Sequence, residues 1–164
     1  MFNQNCCFID ARYFIEHPDF IKMLDPGNIT KQSQRTYIFI RVDIDDNHFY
    51  LPLRNNLGNE IRPYGRIGHA VPSKTRPNAG IDYRYALIVN DDSFIHPHAA
   101  QKLPDSQYNR ITSDYDAIKA EFSVYLRRYR KVAAKGRISR EPLFRESSLI
   151  NFHAELGISN RNLT

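Results

Sequence analysis

The chain has no tryptophan, and its only two cysteines, Cys6 and Cys7, are adjacent. A disulfide between neighbours is strained, and one pair makes no framework, so cross-links do not hold this fold. Two neighbouring thiols without a second pair also make a poor zinc signature. Reduced cysteines at a strand start are the expectation, in keeping with a reducing compartment. No apolar run approaches the ~20 residues of a membrane span, so no membrane partner is expected. Met1-Phe2-Asn3-Gln4-Asn5 carries no basic head and no signal-peptide core, which makes the cytoplasm the expected location. A Gly-Lys-Ser/Thr phosphate loop, a Gly-x-Ser-x-Gly elbow and a His-Glu-x-x-His helix are all missing.

What is present suits one domain over residues 1–164. The chain is 41% hydrophobic and 12% aromatic, enough for a sizeable core. A formal net charge of +5 points to an anionic partner, of which nucleic acid is the commonest. No internal repeat or low-complexity tract is visible.

Residues 49–89 read as strand, loop, strand. Phe49-Tyr50-Leu51-Pro52-Leu53 is short and β-favouring, and residues 83–89 end in a continuous apolar run, as in a buried strand. Between them, residues 54–82 hold four Gly and three Pro, with five basic residues against two acidic ones. So long a connection either contains short elements of its own or is functional.

Elsewhere, residues 8–14 read as a first strand and His17-Pro18-Asp19 as the start of a short helix carrying Phe20, Ile21 and Leu24. Residues 28–35 read as a polar loop. Residues 37–44 alternate as a strand, with Ile38, Ile40, Val42 and Ile44 on one face. The turn at Asp45-Asp46-Asn47-His48 predicts a hairpin with the next strand. From Tyr108 through Ile111, Tyr115, Ile118, Phe122, Tyr125 and Tyr129 to Val132 the apolar residues recur three or four apart. That spacing predicts one long amphipathic helix between Pro104 and Gly136. Arg127, Arg128, Arg130 and Lys131 at its end suit the helix dipole, or form a phosphate-facing edge. Residues 147–156 read as a last helix closed by Gly157. The layout is α+β: a mostly antiparallel sheet or barrel, one long helix in the C-terminal half and short flanking helices.

The candidate chemistry lies in the basic stretch. His96 and His98 are two apart and could touch one metal, but no third ligand stands nearby, so a polar turn is expected and no metal or cofactor is assigned. Ser73-Lys74-Thr75-Arg76 and Arg54-Asn55-Asn56 supply other types. RNA cleavage through the 2′-hydroxyl needs alignment, a proton acceptor and cations for the developing phosphate charge. Lys and Arg stabilise that charge, Ser, Thr and Asn orient ribose and phosphate, and Tyr stacks unpaired bases. The same residues fit a solvated basic loop.

The order of segments adds a resemblance. Phe8-Ile9-Asp10-Ala11-Arg12-Tyr13, Arg35-Thr36-Tyr37-Ile38, Tyr50-Leu51-Pro52-Leu53, Ala86-Leu87-Ile88-Val89, the long Tyr-bearing helix and Ser148-Leu149-Ile150-Asn151-Phe152 are similar to the pieces of the ToxN/AbiQ/TenpN superfamily. These are endoribonuclease toxins of type III toxin–antitoxin systems, and the TenpN-like branch is the most similar. The resemblance implies a compact, strongly curved antiparallel sheet of the MazF kind. It implies metal-independent cleavage of single-stranded RNA, cellular or phage, leaving 2′,3′-cyclic phosphate and 5′-hydroxyl ends. It also implies a repeat-encoded pseudoknot RNA antitoxin, processed and then bound in a closed hetero-oligomer.

By position, it places Tyr13 and Arg35 beside the active site. The family's Thr-Ser after Pro-Leu is here Arg54-Asn55, with no Lys close behind. Ser73, Lys74 and Thr75 are the candidates to replace those types, provided the loop folds back. The expected catalytic set is therefore Tyr13, Arg35, Arg54, Asn55, Ser73 and Lys74. The expected RNA contacts are Arg12, Asn56, Tyr64, Arg66, Thr75, Arg76 and Arg84. Two alternatives stay open: a nucleic-acid-binding domain without catalysis, and a MazF-like toxin opposed by a protein antitoxin.

Overall fold

A computed structural model of the chain describes residues 2–24, 37–57 and 67–159. The expected polar loop 28–35 lies outside the described residues, as do the candidates Arg35, Tyr64 and Arg66.

The order of elements begins with β1 (Cys6–Ile9), α1 (Ala11–Glu16), β2 (Phe39–Ile44) and β3 (Asn47–Arg54). It continues with β4 (Gly68–Ala70), β5 (Gly80–Asp82), β6 (Leu87–Ile88) and β7 (Ile95–His96), and ends with α2 (Asp105–Ala134) and α3 (His153–Leu156). Every strand pair is antiparallel. The strands run β4-β5-β3-β2-β1-β7, with β6 also on β3. Since β4 and β7 are the two ends of that order, the sheet is open, and the barrel form of the expectation is not realised among the described residues. The α+β class stands, and no described helix is long and apolar enough to cross a membrane.

Two segments differ from the sequence reading near the N-terminus. The first strand stops at Ile9, because the Asp10 carboxylate accepts the Arg12 N–H at 2.8 Å and caps a helix through Ala11-Arg12-Tyr13-Phe14. The helix ends before Pro18, which disfavours helical backbone at His17. His17-Pro18 is thus a stop, and residues 20–24 form no helix. The cysteines do open β1, where they are free and buried. Burial pushes the Cys6 thiol up to about 12 and that of Cys7 to about 11, so both stay protonated.

The β2–β3 hairpin turns on two residues only. Asp45 and Asp46 both take left-handed backbone, with φ of 50° and 65°, as a two-residue turn of the primed type requires. Asn47 already pairs with Ile44, so β3 is longer than the sequence suggests. Phe39 is buried along with Ile40 and Val42, so both faces are covered at the start of β2.

α2 forms where the apolar spacing places it. Ile111, Ile118, Phe122, Tyr125 and Tyr129 are buried, with Tyr108, Tyr115 and Val132 half-buried beside them. Phe122 meets Phe49 of β3 edge-on at 5.1 Å, and Tyr125 meets Phe144 at 5.1 Å. Gly136, with φ of 64°, ends the helix, and the Arg137 N–H donates back to the Val132 carbonyl. The tail is a 3-10 turn, Ser148–Phe152, leading into α3 and closed by left-handed Gly157.

Candidate nucleic-acid interface

One proline shapes the site. Leu53 donates to Ile38 on the β2 side, so its neighbour Pro52 turns its nitrogen, which carries no hydrogen, towards the opposite edge of β3. On that edge β5 pairs with Leu53 and Arg54, and β6 pairs with Phe49 and Tyr50. Between them the chain leaves the sheet as a 3-10 turn, Tyr83–Tyr85. Residues 83–89 are therefore not one strand. The Asp82 carboxylate accepts the Arg84 N–H at 3.1 Å and turns the chain there, overriding the β preference of Tyr-Arg-Tyr.

Asp82 is the centre of the group. Its side chain is fully buried, and each oxygen accepts two hydrogen bonds. Oδ1 takes the Arg84 N–H and Nε at 3.1 Å each; Oδ2 takes Arg84 Nη2 at 2.9 Å and Arg54 Nη1 at 3.0 Å. Two guanidiniums on one carboxylate leave a surplus of one positive charge. The Arg54 side chain is 30% exposed and that of Arg84 10%, so Arg54 is the one open to solvent. Both guanidiniums also pack against Tyr85, at 5.3 and 5.4 Å from its ring centre. Burial pushes the Tyr85 phenol up, so it stays neutral. Behind the turn, the Ser148 hydroxyl is directed at the Arg84 and Ala86 carbonyls and fixes it to the C-terminal segment.

The long stretch folds back onto this group. It contains β4 and β5, two three-residue strands without any hydrophobic alternation to announce them. They approach closely: a Cβ on Gly80 would overlap the His69 carbonyl and the Leu57 side chain, and one on Gly68 the Ile81 carbonyl. Ahead of β5, Ser73 and Arg76 close a tight turn by exchanging backbone bonds of 3.1 Å, and Ser73 Oγ accepts the Arg76 N–H at 3.1 Å. Arg76 Nη1 then donates to Asn55 Oδ1 at 2.8 Å, directly after Arg54. Arg54, Asn55, Arg76, Ser73 and Arg84 are thus gathered at the end of β3. Lys74 and Thr75 stand exposed at the tip of the turn, and Asn56 is exposed beside Asn55.

Tyr13 and Arg12 lie elsewhere. The Tyr13 hydroxyl donates to the Ile88 carbonyl at 3.1 Å, and its ring packs with Phe14, His17, Phe20 and Phe94, whereas Arg54 bonds Asp82 and packs on Tyr85. Arg12 pairs with Asp10 and donates to the Ser93 carbonyl at 2.7 Å. The His96 ring is bonded to Asp10 at 2.8 Å, and no group of three metal-binding side chains occurs among the described residues.

Sequence reasoning missed three participants. Asp82 was counted only as a charge against the stretch, and it organises the group. Tyr85, half-buried, supplies the ring against which both arginines pack. His69 of β4 lies 2.9 Å from Asp114 and 3.0 Å from Glu121, both on α2, and Glu121 also accepts the Tyr83 hydroxyl at 2.8 Å. A neutral imidazole has one N–H and fills one such bond; the imidazolium fills both. The one legible signal was the seven-residue spacing of Asp114 and Glu121 on a single helix face.

No family model, curated protein or solved structure matches this chain. The resemblance to type III toxins rests on the short segments quoted above.

Proposed function

We propose that this chain is a metal-independent endoribonuclease acting on single-stranded RNA, the toxin of a type III toxin–antitoxin pair. A repeat-encoded pseudoknot RNA would hold it inactive in a closed hetero-oligomer, in the cytoplasm. A strongly curved sheet of the MazF kind belongs to the same reading. The observation that carries it is the convergence of Arg54, Arg84 and Tyr85 on buried Asp82, beside the Asn55–Arg76 contact.

In the proposed reaction the ribose 2′-oxygen attacks the adjacent phosphorus while the bond from phosphorus to O5′ breaks. The 2′-hydroxyl loses its proton, O5′ gains one, and the products carry 2′,3′-cyclic phosphate and 5′-hydroxyl ends. Arg54 and Arg76, with Lys74 on the exposed turn, balance the charge that builds on the phosphate oxygens. Tyr85 offers a face or edge to an unpaired base. Ser73 Oγ is anchored as an acceptor within its turn, which leaves its hydrogen to donate to phosphate or ribose.

One feature favours a binding domain without catalysis. Both buried-group arginines are held by Asp82, and His69, next to the β5 register of Ile81, is held between two carboxylates. Product ends decide between the readings. Purified protein is incubated with mixed-sequence single-stranded RNA in EDTA. Cyclic-phosphate ends that vanish with Arg54→Ala or Lys74→Ala are expected. Intact RNA with tight, salt-sensitive binding overturns the nuclease in favour of the binding domain. Cleavage by a chain that copurifies with a protein inhibitor, free of RNA, overturns the RNA antitoxin alone.

A further inference from the structure

A concavity lies between α1, the segment after β6 and α3. It has a volume of about 170 Å³. Its walls are aromatic: Tyr13, His17, Phe20, Phe94 and Phe152. The rings brace one another, with His17 parallel to Phe20 at 4.5 Å, and Tyr13 at 4.9 Å from His17 and 5.6 Å from Phe94. They are therefore set before any ligand arrives. Ile88 and Val89 add apolar lining.

Beside the neutral amide of Asn90, the carboxylates here carry the opposite sign to the Arg54 group. Asp91 and Glu155 line the same cleft, both exposed, and no Lys or Arg does so among the described residues. The Ser93 backbone N–H, donating to Asp91 at 2.9 Å, holds that carboxyl below its usual range. The Tyr13 hydroxyl is turned to the Ile88 carbonyl, so it offers nothing to an anion. Arg12 lies 5.2 Å from the Phe94 ring, but its guanidinium is tied to Asp10 and the Ser93 carbonyl. A phosphate brought here would meet two carboxylates. A neutral apolar guest would leave their field unused. A cation with an apolar skin meets ring faces and negative charge together.

We propose that this aromatic cleft, walled by Tyr13, His17, Phe20, Phe94 and Phe152 and flanked by Asp91 and Glu155, binds a small organic ammonium ion. The site is separate from the Arg54 group, and the proposal stands whether or not the chain cuts RNA.

The test compares choline with its uncharged carbon isostere, 3,3-dimethylbutan-1-ol, on the full chain, following backbone amide shifts of residues 13–20 and 88–94. Choline is expected to saturate those shifts with an affinity ~10-fold or more above that of the alcohol. A variant carrying Asp91→Asn and Glu155→Gln is expected to lose that preference. Asn keeps an acceptor for the Ser93 N–H, and unchanged amide shifts away from the cleft establish that the variant is folded. Equal binding of the two compounds overturns the proposal, and so does the absence of a saturable shift from choline. Undiminished choline preference in the charge-neutral variant overturns it as well.

Discussion

Asp82 is the residue on which the basic group depends. A buried carboxylate with four filled acceptor positions is tolerated because two guanidiniums compensate it, and Arg84 is nearly as buried as its partner. Removing the carboxylate charge strands the Arg84 cation in a poorly solvated place. Asp82→Asn is therefore expected to destabilise the protein by about 3–5 kcal/mol, the range for breaking one side of a buried pair. Arg54→Ala is expected to cost less, since water reaches Arg54 and Asp82 keeps Arg84. Urea unfolding of the two variants checks the order; a smaller loss for Asp82→Asn than for Arg54→Ala would show that the turn is held by something else. None of this was legible from residue types, because Asp82 reads as an ordinary loop charge until Pro52 opens the strand edge opposite it.

Elements were legible in proportion to their length and period. α2 declares itself through repeated apolar spacing, and the hairpin through alternation on β2. β4 and β5 have three residues each, too few for any period, and their glycines serve close backbone approach. What fixes β4 is a side chain: His69 reaches α2 through Asp114 and Glu121, with Gln107 Nε2 donating to the Val71 carbonyl nearby. The His69 bond is the largest influence on Asp114 and holds its carboxyl below the ordinary range. A carboxyl depressed in the folded state contributes stability above its unfolded pKa of roughly 3.9, and loses that contribution as pH falls through the lower folded value. The Asp114 carboxyl carbon, followed by NMR, is expected to titrate below roughly 3.9 in the native chain and to move back towards that value in His69→Gln. An unchanged midpoint in the variant would detach β4 from α2. Asp114 is partly exposed, so the accompanying stability change is expected to be small.

Across the whole molecule the +5 charge is not spread evenly. One basic group gathers at the Arg54 end of β3. The cationic end of α2 is tied to the other end of the hairpin, where Arg130 reaches Asp45 at 3.4 Å. The eight residues of β3 separate those two ends by about 24 Å of strand. The sequence could not choose between a dipole role and a phosphate-facing role for the α2 cations, because that choice depends on where the helix end lies relative to the rest of the basic surface. The salt dependence of RNA binding makes the choice. Each phosphate neutralised on a single strand contributes roughly −0.7 to the slope of log K against log salt. Replacing Arg54, Lys74 and Arg76 together by Ala is expected to flatten the slope by about 2, if all three meet phosphates. Replacing Arg127, Arg128 and Lys131 by Ala is expected to leave it nearly unchanged, since they lie on the helix end tied to Asp45, at the opposite end of β3 from the Arg54 group. The reverse pattern would move the interface to the α2 end, and with it the reading of every residue around Asp82. Equal flattening by both sets would require RNA to cover both ends of β3 at once, a footprint longer than the group around Asp82 supplies by itself.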